Sequence, residues 1–196
     1  MANQFINFAA RKQNWAKLTP WLGIITFVLI FKYFNYKDVQ FWALINIPLY
    51  LFHQMDEHYL PGGFKNFINQ IVCKLPSGAE LLTDIKIFWI NILFVWVLFL
   101  ILALLILNIS IGFGIIMIII SAVNCLSHIV LLLKLKMRNP GVIVALFQFI
   151  ICVYAAYYIS INAQLSNLGL WWIVSVISSV VFHVLAYQIM RAQKTK

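Results

Sequence analysis

The chain has 196 residues, 64% of them apolar and only 10% charged, with 14 Lys and Arg against five Asp and Glu for a formal net charge of +9. A soluble domain is roughly half apolar and about a quarter charged, so this chain has too little polar surface to cover a core in water. The composition argues against a disordered chain, a disulfide scaffold and a nucleic-acid-binding domain, and points to an integral membrane protein.

In chain order, Met1–Lys17 carries Arg11, Lys12 and Lys17 ahead of an apolar run. The run after Pro20 lacks a small-residue cleavage site and is followed by further apolar stretches, so it is read as retained and not as a cleaved signal. Crossing a hydrocarbon core of about 30 Å takes roughly 17–25 apolar residues at a rise of 1.5 Å each. Six segments meet or approach this requirement: Pro20–Phe34, Phe41–Met55, Ile85–Leu107, Ile111–Leu133, Gly141–Asn162 and Leu168–Met190. The first two are short and Pro48 interrupts the second, so tilt or a kink is expected there. Trp21, Tyr33 and the pair Trp171–Trp172 read as interface anchors. Cys73, Cys125 and Cys152 are far apart, form no CxxC pair, and read as packing residues.

With the N-terminus placed in the cytoplasm, twelve of the 14 basic residues fall on the cytoplasmic side and only Lys32 and Lys37 fall outside. The twelve include Lys134, Lys136 and Arg138 before Pro140, and Arg191, Lys194 and Lys196 at the C-terminus. This positive-inside pattern puts both termini and the loop Asp56–Asp84 in the cytoplasm, and it accounts for the +9 charge without a polyanion partner. Within that loop Phe64, Phe67, Ile68, Ile71 and Val72 have helical spacing, which predicts an amphipathic interfacial helix. No repeat of 20 to 50 residues is visible. The expected fold is therefore all-α: a single domain over residues 1–196, a polytopic membrane helical bundle of about six transmembrane helices with membrane lipid as its surroundings and no nucleic-acid partner.

Polar residues inside membrane spans are costly, so each is a candidate for function until a structural role explains it. The densest group is His53-Gln54-Met55-Asp56-Glu57-His58 at the inner end of the second span. If the helix continues through it, His53 lies one turn from Asp56 and Glu57, and one imidazole and two carboxylates share a face. Such a face suits a divalent metal or a general acid and base. The plainer reading makes these residues a helix end with hydrated headgroup-level charges. Depth separates the two. Counting 1.5 Å per residue from the nearest basic turn puts Asn91, Asn124, His128 and His183 in the same leaflet as His53. Asn124 and His128 are four apart and share a helix face. Together these residues suggest a polar cavity open to the cytoplasm. No nucleophile elbow, His-Glu-x-x-His pair or P-loop is present.

At these residues the chain resembles the HXXEE family, small multi-pass membrane proteins of bacteria and archaea. The defining motif stands here as His53-Gln54-Met55-Asp56-Glu57, followed by Tyr59-Leu60-Pro61-Gly62. The likeness runs on through Asn91, then Asn124 and His128, to a basic turn ending Pro140-Gly141, and so covers roughly Phe41–Tyr158. Asp56 departs from the motif's Glu; it keeps the charge and shortens the reach by one methylene. The resemblance implies a bacterial inner-membrane location and marks His53, Asp56, Glu57 and His128 as site residues without naming a reaction. His183 lies outside it.

The leading expectation is a membrane-embedded enzyme. His53, Asp56, Glu57 and His128 would be its catalytic residues and hold a divalent metal, Zn, Fe or Mn, and Asn91, Asn124 and His183 would bind a lipid-like or other amphipathic substrate. The alternative is a small transporter, or its substrate-binding subunit, using the same cluster as a proton or solute site. A third is a structural or regulatory membrane subunit.

Overall fold

The computed structural model describes residues 2–192, and every regular element among them is helical. Met1, Lys194 and Lys196 lie outside the described residues. Helix α1 spans Ala2–Ala10, and a 3₁₀ segment, Arg11–Leu18, leads into α2, Thr19–Tyr33. Lys12 and Gln13 adopt left-handed backbone angles that separate α1 from α2. Asp84 holds this bend, accepting from the Lys12 backbone N–H at 3.2 Å and from the Gln13 side-chain amide at 2.8 Å.

The segment expected as one span over Phe41–Met55 is two helices, α3 at Val39–Leu44 and α4 at Asn46–His58, meeting at Ile45. Pro48 explains the break: without an N–H it cannot bond the Leu44 carbonyl one turn back. The loop helix expected at Phe64–Val72 is present as α5, Phe64–Asn66, continuing in a π-helical segment, Phe67–Val72. It buries Phe67, Ile68 and Asn69.

The expected third span is one helical run: α6 at Asp84–Trp89, a wide π-helical segment at Ile90–Val97 and α7 at Leu98–Asn108. Helices α8 (Gly112–Leu135), α9 (Val142–Asn162) and α10 (Leu168–Arg191) follow the expected fourth to sixth spans closely. Among the described residues, five helical stretches are long and apolar enough to cross a membrane: Gln4–Tyr33, Asp84–Asn108, Gly112–Leu135, Val142–Asn162 and Leu168–Arg191. The α3–α4 pair is not among them, because Ile45 divides it into six and thirteen residues.

Helix α8 lies between α9 and α10, and α4 packs on α2 and α9. Gly114 on α8 admits the close approach of α3, since a Cβ there would stand 2.6 Å from that of Ala43. Apolar side chains face outward along the long helices, Ile173, Ile177, Val180 and Leu100 among them. Faces of this kind, far beyond what water-soluble surfaces carry, need an apolar surrounding. Trp171 and Trp172, expected as interface anchors, are half-buried. The Trp171 ring lies against Gly112 and 5.1 Å from Phe113, and Trp172 donates to Ser160 at 3.3 Å. Cys125 and Cys152 are buried, as packing residues should be, and Cys152 also meets Asn46 Oδ1 at 3.0 Å.

Candidate functional site

Because α4 runs unbroken to His58, His53 and Glu57 stand one turn apart on a single buried face. His53 Nε2 lies 3.7 Å from Glu57 Oε1. Helix α8 brings His128 across, with Nε2 3.0 Å from the same oxygen. Asn124, one turn earlier on α8, places its amide nitrogen 3.0 Å from His53 Nε2. The other oxygen of Glu57, Oε2, lies 3.3 Å from His58 Nε2. One carboxylate therefore faces three imidazoles in a site closed to solvent.

The turn between α8 and α9 orients His128. Asn139, itself buried, donates from Nδ2 to the His128 carbonyl at 2.9 Å, which turns its Oδ1 toward His128 Nδ1 at 2.8 Å. An oxygen in that position accepts, so Nδ1 carries the hydrogen. The lone pair of Nε2 in a neutral ring would then point at a carboxylate oxygen 3.0 Å away. That contact is attractive only with a positive species between the two atoms, either a proton or a metal ion.

Gly141 makes the approach possible. Its backbone is left-handed with φ 90°, and a Cβ there would stand 2.5 Å from Glu57 Cγ and 3.0 Å from His128 Cε1. The turn at Pro140-Gly141 that closes the family likeness thus also forms a cradle for the Glu57–His128 pair.

A second chain of hydrogen bonds supports the α4 side. The Trp96 indole can only donate, and it donates to Gln54 Oε1 at 2.8 Å. Gln54 Nε2 therefore donates to Asn91 Oδ1 at 2.7 Å, and Asn91 Nδ2 to the Ile87 carbonyl at 2.9 Å, with His58 Nε2 3.5 Å away. The widened π turn carries Asn91, and π bulges recur at functional sites. Trp15, from the segment after α1, lies 5.1 Å from the His58 ring and closes the cluster on that side.

His53, Glu57 and His128 each offer one ligand atom within 4.8 Å of the others, so the three could hold a metal ion. Tetrahedral zinc with ligands near 2.0–2.1 Å sets neighbouring donors roughly 3.3 Å apart. The 3.0 Å and 3.7 Å separations about Glu57 Oε1 bracket that value. Asp56 is not brought into the group. Its carboxylate faces the opposite way, toward Arg138 at 3.4 Å and the Val144 backbone N–H at 3.3 Å, and ties the end of α4 to the start of α9. His183 on α10 donates from Nδ1 to the Ser179 carbonyl at 2.7 Å, leaving Nε2 buried without a partner. It lines a cavity of about 180 Å³ that also touches Glu57, His58, Asn91 and Asn124. Sequence reasoning named Gln54 and His58 within the polar run and Gly141 in the basic turn without giving any of them a role, and it did not single out Asn139. Their roles depend on segments meeting across the fold: Gln54 on Asn91 and Trp96, Asn139 on His128, and Gly141 on Glu57.

An all-helical chain with membrane-length helices, enclosing a buried His–Glu–His group beside a small cavity, is the class that fold and site define. The family described as proteins of unknown function with an HXXEE motif matches residues 44–157, more than half of the chain, and the chain belongs to that family. No curated protein and no solved structure matches it.

Proposed function

We propose that this chain is a membrane-embedded, metal-dependent enzyme acting on a lipid-like substrate from the cytoplasmic leaflet of the cell membrane. Six crossings, with α3 and α4 together forming the second, put both termini in the cytoplasm, as the distribution of basic residues favours. The observation that carries the reading is the convergence of His53, Glu57 and His128 around one point beside a cavity. Three protein ligands leave a coordination position open, the arrangement of catalytic and not structural metal sites. Zinc, iron and manganese all suit two imidazoles and a carboxylate. A metal held there would polarise a substrate oxygen or activate water. Glu57 supplies the negative charge, Asn139 fixes the His128 ring, and Asn91, Asn124 and His183 present polar groups to a substrate head in the cavity.

Elemental analysis of purified protein tests this directly. Wild type is expected to carry one divalent metal per chain, and His53→Ala and Glu57→Gln less than a tenth of that. Wild type without metal, or a metal content indifferent to both substitutions, overturns the reading.

One observation favours a transporter instead. Gln148 on α9 is fully buried with both side-chain polar atoms unpaired, and Asn46 and Cys152 lie among the buried residues further from the site. They would extend a polar path away from the cluster. Solute or proton flux in proteoliposomes that is lost in both His53→Ala and Gln148→Leu would establish that reading over the enzyme.

A further inference from the structure

The cavity at Glu57 has an immediate neighbour on its α4 side. Tyr50 and Val95 line the cavity, and the same two residues line an apolar groove of about 360 Å³ between α2, α4 and α7. The Tyr50 ring stands between them, 5.6 Å from the His53 ring and 5.0 Å from Phe99. The groove wall offers little to a polar guest. The Thr26 hydroxyl is bonded to its own helix at the Leu22 carbonyl, 2.7 Å away, and the Trp96 N–H is given to Gln54. The remaining lining is aliphatic or aromatic, with Leu100 at the exposed edge, Leu22 half-buried beside it and Ala103 the smallest side chain on α7. From Val95 to Ala103 the groove follows two helical turns, about 12 Å.

We propose that this groove holds the single hydrocarbon chain of the substrate whose polar head sits in the Glu57 cavity, with Ala103 setting the chain length accepted. The inference rests on the lipid-substrate reading above and adds which chain architecture it selects. A second apolar groove, about 490 Å³ between α7, α8 and α10, meets the cavity at Glu57 only through Phe182. Sharing two residues, one of them the tyrosine between the His53 and Phe99 rings, singles out the first groove as the chain site.

Photolabelling tests the assignment. Full-length protein in nanodiscs is exposed to decyl and hexadecyl alcohols carrying a diazirine at the chain end, and the labelled peptides are mapped. Label is expected to concentrate on α2 and α7 near Leu22, Leu100 and Ala103. Ala103→Phe is expected to cut hexadecyl labelling there at least fivefold while sparing the decyl probe, and Ser178→Phe, in the second groove, to change neither. Ala103→Leu gives a smaller effect of the same sign and serves if the phenylalanine variant does not fold. Label spread evenly over the outward-facing helices, or sensitivity to Ser178→Phe in place of Ala103→Phe, overturns the proposal. Metal analysis of the same samples separates the two readings. Metal present with even labelling removes the groove alone; metal absent with the expected labelling removes the metal centre alone.

Discussion

Glu57 is one carboxylate addressed by three imidazoles, and its geometry depends on two neighbours that carry no catalytic chemistry. Asn139 sets the tautomer of His128 through the pair of bonds at 2.8 and 2.9 Å. Groups that orient a ligand in this way typically change metal affinity 10–100-fold when removed. Asn139→Ala is therefore expected to weaken metal binding by about that factor, read by competition with a chelator, while Asn139→Asp keeps an acceptor opposite Nδ1 and retains more of it. Gly141 acts by what it lacks. An alanine there would meet Glu57 Cγ at 2.5 Å on a backbone with φ 90°. Strain and overpacking together put Gly141→Ala at about 2–5 kcal/mol destabilising. A thermal melt in detergent shows this as a clear fall in Tm; an unchanged Tm would mean the turn moves freely away from Glu57.

Among the elements, α4 and α8 carry the converging side chains, and the π-widened run from α6 into α7 supports α4 through Asn91 and Trp96. Pro48 ends α3 early and lets α4 start its own register, which puts Asn46, Tyr50, His53 and Glu57 along one face. The loop after α5 is pinned by Asn69, which accepts from the Leu81 and Leu82 backbone N–H groups at 3.0 and 2.9 Å and donates to the Leu82 carbonyl at 2.9 Å. Asn69 is buried, so its removal strands three backbone groups. Asn69→Ala is expected to lower stability by about 2–4 kcal/mol. Limited proteolysis should then cut between Lys74 and Leu81 well before wild type is cut. Helical spacing in Phe64–Val72 disclosed the helix. It did not disclose Asn69 as the residue that holds the following loop, because the partners are backbone groups twelve and thirteen residues on.

For the molecule as a whole, the buried histidines and carboxylates gather at one end of the bundle, with Asn46 and Gln148 among the buried polar residues away from it. The proposed topology makes that end cytoplasmic, and it is checked by single cysteines in a background lacking the native three. Ser166, in the short α9–α10 turn, is expected to react with an impermeant maleimide added outside intact cells. Lys136, in the basic turn before α9, is expected to react only after permeabilisation. The reverse pattern would turn the site toward the outside. The common depth of His53, Asn91, Asn124, His128 and His183, computed from helix rise alone, corresponds to real neighbours: Asn124 meets His53, His128 meets Glu57, and Asn91 and His183 line one cavity with Glu57.

Composition and hydropathy by themselves determined the helical class, the long apolar helices and the common depth of His53, Asn91, Asn124, His128 and His183 along them, because apolar run length and 1.5 Å rise are properties of the chain. The motif likewise identified His53 and Glu57, which share a face wherever the helix continues through them. Tertiary structure alone decided which carboxylate faces the imidazoles. Asp56 and Glu57 are adjacent, so 100° of helical rotation sends one to Arg138 and the other to His128. Packing also decided what closes the site, since Gly141, Asn139 and Trp15 come from separate segments of the chain and meet Glu57, His128 and His58 only when the bundle is assembled.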